Sequence, residues 1–119
     1  MLNYKLWQYR DDRNCWDFVR TVLNEQFNVP VDAVPKFGIC PDDKRGMTKA
    51  FLGVKKSFRS IEQAQEGAVA CHFSGRALTH VGVVLNGKVW HAGKSQGVKS
   101  ESIQAFEKQS KTGYFLWLN

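Results

Sequence analysis

The sequence is poor in cysteine and proline, with three of each, and it contains no long apolar run. Three cysteines are an odd, sparse set that does not suggest the disulfide framework of a small secreted domain. No stretch approaches the roughly 20 apolar residues of a membrane-spanning helix, so we expect no membrane insertion. The start, MLNYKLWQYRDD, lacks a continuous apolar segment, and we therefore expect no signal peptide.

A metal centre is not favoured either. The cysteines are Cys15, Cys40 and Cys71, and no CxxC pair occurs. A zinc site built from Cys40, Cys71, His72 and a later histidine is conceivable, but its spacings match no common zinc motif. We therefore expect no metal and no cofactor.

Chain length limits the number of domains, and net charge indicates the class of partner. A chain of 119 residues is expected to form one domain, residues 1–119, with a real hydrophobic core. It carries 17 lysines and arginines against 11 aspartates and glutamates, a formal net charge of +6. That excess favours acidic partners such as nucleic acid, anionic envelope polymers or membrane surfaces, without choosing among them.

Apolar periodicity and turn residues predict helices first and strands afterwards. Residues 11–28 show a broad apolar stripe at helical spacing, with Asp11, Asp12 and Asn14 as candidate caps. A loop over 29–46 leads to a shorter helix over 47–58. Further along we predict a strand at 67–73, a hairpin at 79–93, a short strand at 97–102, a helix at 102–109 and a last strand at 113–118. This order predicts an α+β fold, with N-terminal helices packed on a mainly antiparallel sheet.

The hairpin, THVGVVLNGKVWHAG, carries a histidine near each end. Asn86-Gly87 is a strong two-residue turn signal, and its register places Gly82 opposite His91 and His80 opposite Gly93. The two histidines then share a face as diagonal neighbours, roughly 7–8 Å apart at Cα. Two histidines half-buried against a neighbouring element are the plain structural alternative. The opposite face is expected in the core and carries Val81, Val83, Leu85, Trp90 and Ala92.

Cys15 lies near the start of the first predicted helix. Backbone N–H groups and the helix dipole stabilise a thiolate there, and the same donors can hold an oxyanion. A nucleophilic cysteine also needs a base and a group that orients the base. His80 and His91 supply both if the helix covers their face of the sheet. An inert buried thiol is the alternative for Cys15 alone, but with the paired histidines we favour catalysis.

Cys71 and His72 form a rival pair that we do not expect to act together. Adjacent strand residues point to opposite faces, so His72 cannot easily serve as a base for Cys71. Cys71 is expected in the core, and His72 is expected to be exposed or to support the site indirectly. Cys40 lies in a loop and has no obvious base.

A basic run from Lys44 to Arg59 is the candidate for nucleic-acid binding. Phe51 and Phe58 are interleaved with its lysines and arginines, as in many nucleic-acid surfaces. A solvated basic helix face over an aromatic core side explains the same pattern and is the interpretation we favour.

Three motifs, in this order, resemble the NlpC/P60 cysteine peptidases: NCWDFV at 14–19, HVGVVL at 80–85 and VWHAG at 89–93. EGAVACHF at 66–73 and the later segments GVKSESIQAF and GYFLWL also resemble the family, so the resemblance covers nearly the whole chain. It implies a papain-like α+β fold with a Cys-His-polar triad that cleaves amide bonds in peptidoglycan stem peptides. By motif match, Cys15 would be the nucleophile, His80 the general base and acid, and His91 the orienting residue.

The chain departs from the family pattern at its cysteine motif. The usual Asp-Cys-Ser-Gly-Phe is here Asn-Cys-Trp-Asp-Phe, so Trp16 replaces a serine that commonly lies near the substrate. A tryptophan at this place resembles the phage-tail-associated branch. Many members also place a tyrosine near the oxyanion, and both Tyr4 and Tyr9 are candidates for it.

The resemblance leads us to expect a phage- or prophage-encoded peptidoglycan hydrolase. Such a protein would be made in the bacterial cytoplasm and act at the cell wall or as a virion component. Two alternatives stay open. The first is a tail assembly component, with phage tail proteins as partners and little or no hydrolase activity. The second is a basic nucleic-acid-binding module.

Overall fold

A computed structural model describes residues 15–30, 52, 57–93 and 97–117 of the chain. These residues contain two helices and six strands, which confirms the predicted α+β class. The elements are α1 Cys15–Phe27, β1 Phe58–Ile61, β2 Val69–Ser74, β3 Ala77–Leu85, β4 Lys88–Gly93, β5 Gly97–Ser102, α2 Ile103–Gln109 and β6 Lys111–Trp117. Neither described helix is long and apolar enough to cross a membrane.

The described strands form one antiparallel sheet in the order β1-β6-β2-β3-β4-β5. Strands β2 to β5 are neighbours in chain order, whereas β6 returns to lie between β1 and β2. Helix α2 makes that return and contacts β4, β5 and β6. Helix α1 packs instead on β3 and β4.

Strand alternation divides the core between two faces of the sheet. The α1 face buries the apolar stripe of α1 against side chains that include Val81 and Val83. The α2 face buries Phe106 of α2 in a separate apolar cluster. His80 and His91 alternate with α1-face residues, so their side chains project from the α2 face. The apolar residues of the α2 face are Ala68, Ala70, Val84, Val89, Phe106 and Tyr114.

Most predicted elements are confirmed, with bounds that differ by a few residues. The cap candidates Asp11, Asp12 and Asn14 lie outside the described residues, as does most of the helix predicted over 47–58. The end of that helix was predicted wrongly, because Phe58 begins strand β1. Phe58 pairs with Trp117 near the other end of the chain, and a local apolar pattern carries no sign of such a distant partner.

The hairpin turn forms where the sequence predicts it. Asn86 and Gly87 have φ of 54° and 73°, and two successive positive values define a type I′ turn. The carboxylate of Glu66 accepts hydrogen bonds from both turn amides, at 2.6 Å from Asn86 and 2.9 Å from Gly87. The loop before β2 therefore holds the turn between β3 and β4.

The predicted register holds only near that turn. The pairs Leu85–Lys88, Val84–Val89 and Val83–Trp90 form as predicted. The regular ladder ends there, and the predicted pairs Gly82–His91, Val81–Ala92 and His80–Gly93 are not part of it. The two strands still approach closely at Gly82, where an added Cβ would lie 2.9 Å from the carbonyl oxygen of Trp90. The regular ladder between β3 and β4 thus covers only the residues next to the turn.

Replacing Gly82 by alanine should destabilise the protein. The new methyl group would also lie 3.1 Å from Cβ of His91, and backbone must move to admit it. We expect the free energy of unfolding, measured by urea denaturation, to fall by about 1–3 kcal/mol. Gly93→Ala is the matched control in β4, since no atom lies within 4 Å of its added Cβ. It should change stability by less than about 0.5 kcal/mol, and equal losses in both variants would contradict the close approach at Gly82.

Candidate active site

Three imidazoles meet on the α2 face of the sheet. His72 in β2 pairs with His80 in β3, and their ring centroids lie 6.2 Å apart. The rings of His80 and His91 are 4.9 Å apart and nearly perpendicular, with Nε2 of His80 2.9 Å from Nδ1 of His91. The two hairpin histidines share a face, as strand alternation predicted, and the structure joins them by a direct hydrogen bond.

The hydrogen-bond chain continues from His91 to a carboxylate. Nε2 of His91 lies 2.5 Å from Oε2 of Glu101 in β5. The side-chain amide of Gln109, at the end of α2, donates to the other carboxylate oxygen. Four side chains from three strands and a helix therefore form one chain: His80, His91, Glu101 and Gln109.

Sequence reasoning missed two members of this chain, Glu101 and Gln109, and Glu101 is the one that contacts a histidine. In the sheet, Lys99 lies directly opposite His91, and Glu101 lies opposite Val89, so Glu101 is the diagonal neighbour of His91. Diagonal neighbours on one face are close enough for long side chains to meet. The signal was present in the sequence, because pairing the predicted strand at 97–102 with β4 would have placed Glu101 beside His91.

His72 is buried, only 5% exposed, so of the two expectations for it the exposed position is wrong, and a supporting position beside His80 is what the structure has. Its ring stacks on that of Phe106 at 3.7 Å, and its Nε2–H donates to the carbonyl oxygen of Phe106 at 2.8 Å. His72 thereby joins α2 to the sheet and lies next to His80. The strand pattern around His72 gave no sign of this, because α2 comes from much later in the chain.

The thiol of Cys15 lies at the start of α1 and is buried. Burial raises the pKa of Cys15 to about 11, although backbone amides of Val81, Trp16 and Cys15 itself hydrogen-bond the sulfur and oppose this rise. The predicted arrangement of N–H groups around the sulfur is therefore present. It does not yield a thiolate at neutral pH, because the loss of solvation is the larger effect.

The position of Cys15 relative to His80 differs from the expectation. Helix α1 covers the opposite face of the sheet, because its apolar stripe packs against the valines and not against the histidines. The sulfur nevertheless accepts a hydrogen bond from the amide of Val81, whose nitrogen is bonded to the carbonyl carbon of His80. Among the contacts of the described residues, no hydrogen bond joins the sulfur to the imidazole of His80.

The histidine cluster is electrically neutral near pH 7. Burial lowers the pKa of His80 to about 3, and the nearby His91, His72 and Lys99 disfavour a further positive charge. Burial also lowers the pKa of His72 and of His91, although Glu101 opposes the change at His91. Thiol and imidazole are therefore both uncharged in this arrangement.

Some of the remaining candidate residues are described by the structure, and the others are not. Trp16 is 1% exposed and belongs to the core of the α1 face, so its indole serves packing here. Cys71 is buried in the same core, as predicted. Within the ranges that the structure covers, no group of histidine, cysteine and acidic side chains could hold a metal ion. Tyr4, Tyr9, Cys40 and most of the basic run at 44–59 lie outside the described residues.

The low pKa of His80 predicts how the protein responds to acid. The folded state resists protonation at His80, whereas the unfolded chain takes up a proton below about pH 6.5. The free energy of unfolding should therefore decrease as the pH falls from about 7 to about 4. In NMR spectra of the folded protein, the Cε1–H signal of His80 should stay constant over that range. A His80 signal that titrates near pH 6.5 would contradict the buried, uncharged cluster.

Comparison with models of known protein families and with curated proteins finds no match for this chain. What the site does is therefore inferred from the geometry of its own residues and from the three sequence motifs that carry the NlpC/P60 resemblance.

Proposed function

We propose that the protein is a cysteine hydrolase that cleaves amide bonds through Cys15, His80 and His91. One observation carries the proposal. The sulfur at the first turn of α1 accepts a hydrogen bond from the backbone amide of Val81, the residue after His80, and His80 is itself hydrogen-bonded to a second imidazole. Acyl-transfer chemistry needs a nucleophile, a base and an orienting group. Cys15, His80 and His91 would supply them from α1, β3 and β4 once the thiol and the imidazole meet.

The reaction begins with a neutral thiol and a neutral imidazole. Nε2 of His80 is occupied by His91, so the other ring nitrogen is the one that can take the thiol proton. General-base catalysis suits such a pair, because the proton moves while the sulfur attacks the carbonyl carbon of the substrate. The backbone N–H at the start of α1 then stabilises the oxyanion. His80 returns the proton to the leaving amine, and water hydrolyses the thioester.

Proton transfer requires one rearrangement. The sulfur must turn from the Val81 amide toward the ring of His80, or the ring must move toward the sulfur. The two groups start on opposite faces of the sheet, with one peptide unit between the Val81 amide and the residue that carries the base. The regular pairing between β3 and β4 ends at Val83, two residues from Val81.

Peptidoglycan stem peptides are the substrate class that we propose. The order of the three motifs supports it, and a formal net charge of +6 suits an anionic cell wall. A phage- or prophage-encoded origin follows from the tryptophan after the cysteine, which resembles the phage-tail-associated branch. The site of action would then be the wall or the virion.

A second candidate is a phage tail assembly component without hydrolase activity. The specific observation in its favour is that burial raises the pKa of Cys15 to about 11. In this alternative the sulfur only satisfies the surrounding amides, and the histidine chain only satisfies buried polar groups beneath α2. Phage tail proteins would be the partners.

Substitution of the proposed nucleophile or base should abolish hydrolysis. We expect Cys15→Ala and His80→Ala to retain less than about one thousandth of the wild-type rate, because nucleophile and base act as a unit. Purified peptidoglycan would be digested with each protein and the released muropeptides quantified by mass spectrometry. Circular dichroism would verify that each variant is folded.

Cys71→Ala is the matched control for the loss of a buried thiol. Cys71 lies in the same core as Cys15 but in the middle of the sheet, so its loss should leave the rate within about threefold of the wild type once stability is accounted for. Equal digestion by the wild type and by Cys15→Ala would refute the hydrolase. No muropeptides from any protein, together with co-purification of tail proteins, would favour the assembly component.

A further inference from the structure

Glu101 ends the hydrogen-bond chain that begins at His80. We propose that Glu101 is a positioning residue, whose carboxylate acts through His91 to fix which ring nitrogen of His80 carries a proton. Its value for catalysis rests on the proposed function, whereas the proton arrangement that it imposes follows from the hydrogen-bond geometry and from the neutral state of both rings.

The proton arrangement follows from the donors and acceptors along the chain. A carboxylate only accepts hydrogen bonds, so Nε2 of His91 must donate its proton to Glu101. A neutral His91 then has no proton on Nδ1, which becomes an acceptor. That nitrogen lies 2.9 Å from Nε2 of His80, so Nε2 of His80 must be the donor. Neutral His80 is left with a bare Nδ1, and Nδ1 is the atom available as a base.

The position of the Glu101 carboxylate is fixed well enough to impose this arrangement of protons. Its side chain is 15% exposed, and that of His91 is 6% exposed, so little water competes for the bond between them. Gln109 donates to the second carboxylate oxygen from the last turn of α2. The next residue after Glu101 is the N-cap of the same helix, where the hydroxyl of Ser102 accepts from the amide of Ala105 at 3.1 Å. Both ends of α2 therefore fix the position of Glu101.

The charge of Glu101 matters at the moment when His80 becomes protonated. The groups that face His80 are His72 from β2, His91 from β4 and Lys99 from β5, and all three disfavour its positive charge. Glu101 is the anion at the end of the chain, and it favours positive charge on His91 and on His72. A hydrogen-bonded imidazole transmits that effect toward His80, as outer ligands orient and tune a reactive group. Loss of Glu101 should therefore slow the chemical step without weakening substrate binding.

The experiment is NMR of ¹⁵N-labelled histidine in the whole chain at pH 7, which identifies the protonated nitrogen of each ring. In the wild type we expect His80 and His91 to carry their protons on Nε2. Glu101→Leu removes the acceptor and should leave both rings as mixtures of the two neutral forms. Glu101→Gln keeps an acceptor oxygen but loses the charge, so it should retain the proton positions. If the leucine variant does not fold, Glu101→Gln still tests the role of the charge.

Kinetics give the second measurement. Glu101→Leu should lower kcat about 10- to 100-fold with KM unchanged. The kcat of Glu101→Gln should lie between that of Glu101→Leu and that of the wild type. Glu107→Gln is the matched control, because Glu107 accepts from the hydroxyl of Tyr114 and takes no part in the histidine chain. It should leave both the proton positions and kcat unchanged.

The outcomes separate this inference from the hydrolase itself. A wild-type His80 protonated on Nδ1, or proton positions unaffected by Glu101→Leu, would overturn the role of Glu101 even if the protein is a hydrolase. The expected proton positions in a protein that cleaves no amide would support the role of Glu101 and reject the proposed function. Unchanged kcat in an active Glu101→Leu variant would show that the proton order does not serve catalysis.

Discussion

The alternation of side chains along β3 is the constraint on which the site depends. Val81 faces α1 and His80 faces α2, so the apolar stripe of α1 and the histidine cluster occupy opposite faces of one sheet. The sulfur of Cys15 reaches the strand between them, at the amide of Val81. The Cys15 sulfur and the His80 imidazole therefore lie on opposite faces, on either side of the peptide unit between His80 and Val81.

Burial of the histidines determines the chemistry of the α2 face. Buried polar groups must find hydrogen-bond partners, and buried charge must be avoided or paired. The cluster meets both conditions with neutral rings, one carboxylate and the carbonyl oxygen of Phe106. His80 is a weak base as a result, because the burial that orders the rings also lowers its pKa to about 3. Orientation is thus obtained at the expense of basicity.

The local parts of this structure could be predicted from the sequence, and the distant parts could not. The turn at Asn86-Gly87 and the shared face of His80 and His91 follow from turn chemistry and alternation, which need only neighbouring residues. The pairing of β1 with β6 and the packing of α2 over His72 join residues far apart in the chain. The packing of α1 on the face of Val81 and Val83 likewise joins the first described helix to residues more than fifty positions later in the chain.

The same distinction applies to Glu101. Its neighbour His91 lies ten positions earlier, and the two meet because β4 and β5 form a second hairpin-like pair. The sequence motifs contain the cysteine, the first histidine and the residue that orients it, and they do not extend to Glu101. Yet an imidazole that orients another imidazole does not define a direction by itself, because each ring can donate from either nitrogen. A group that only accepts must end the chain, and in this protein a carboxylate held by α2 does so. The second helix is therefore part of the arrangement that holds the histidine chain in place.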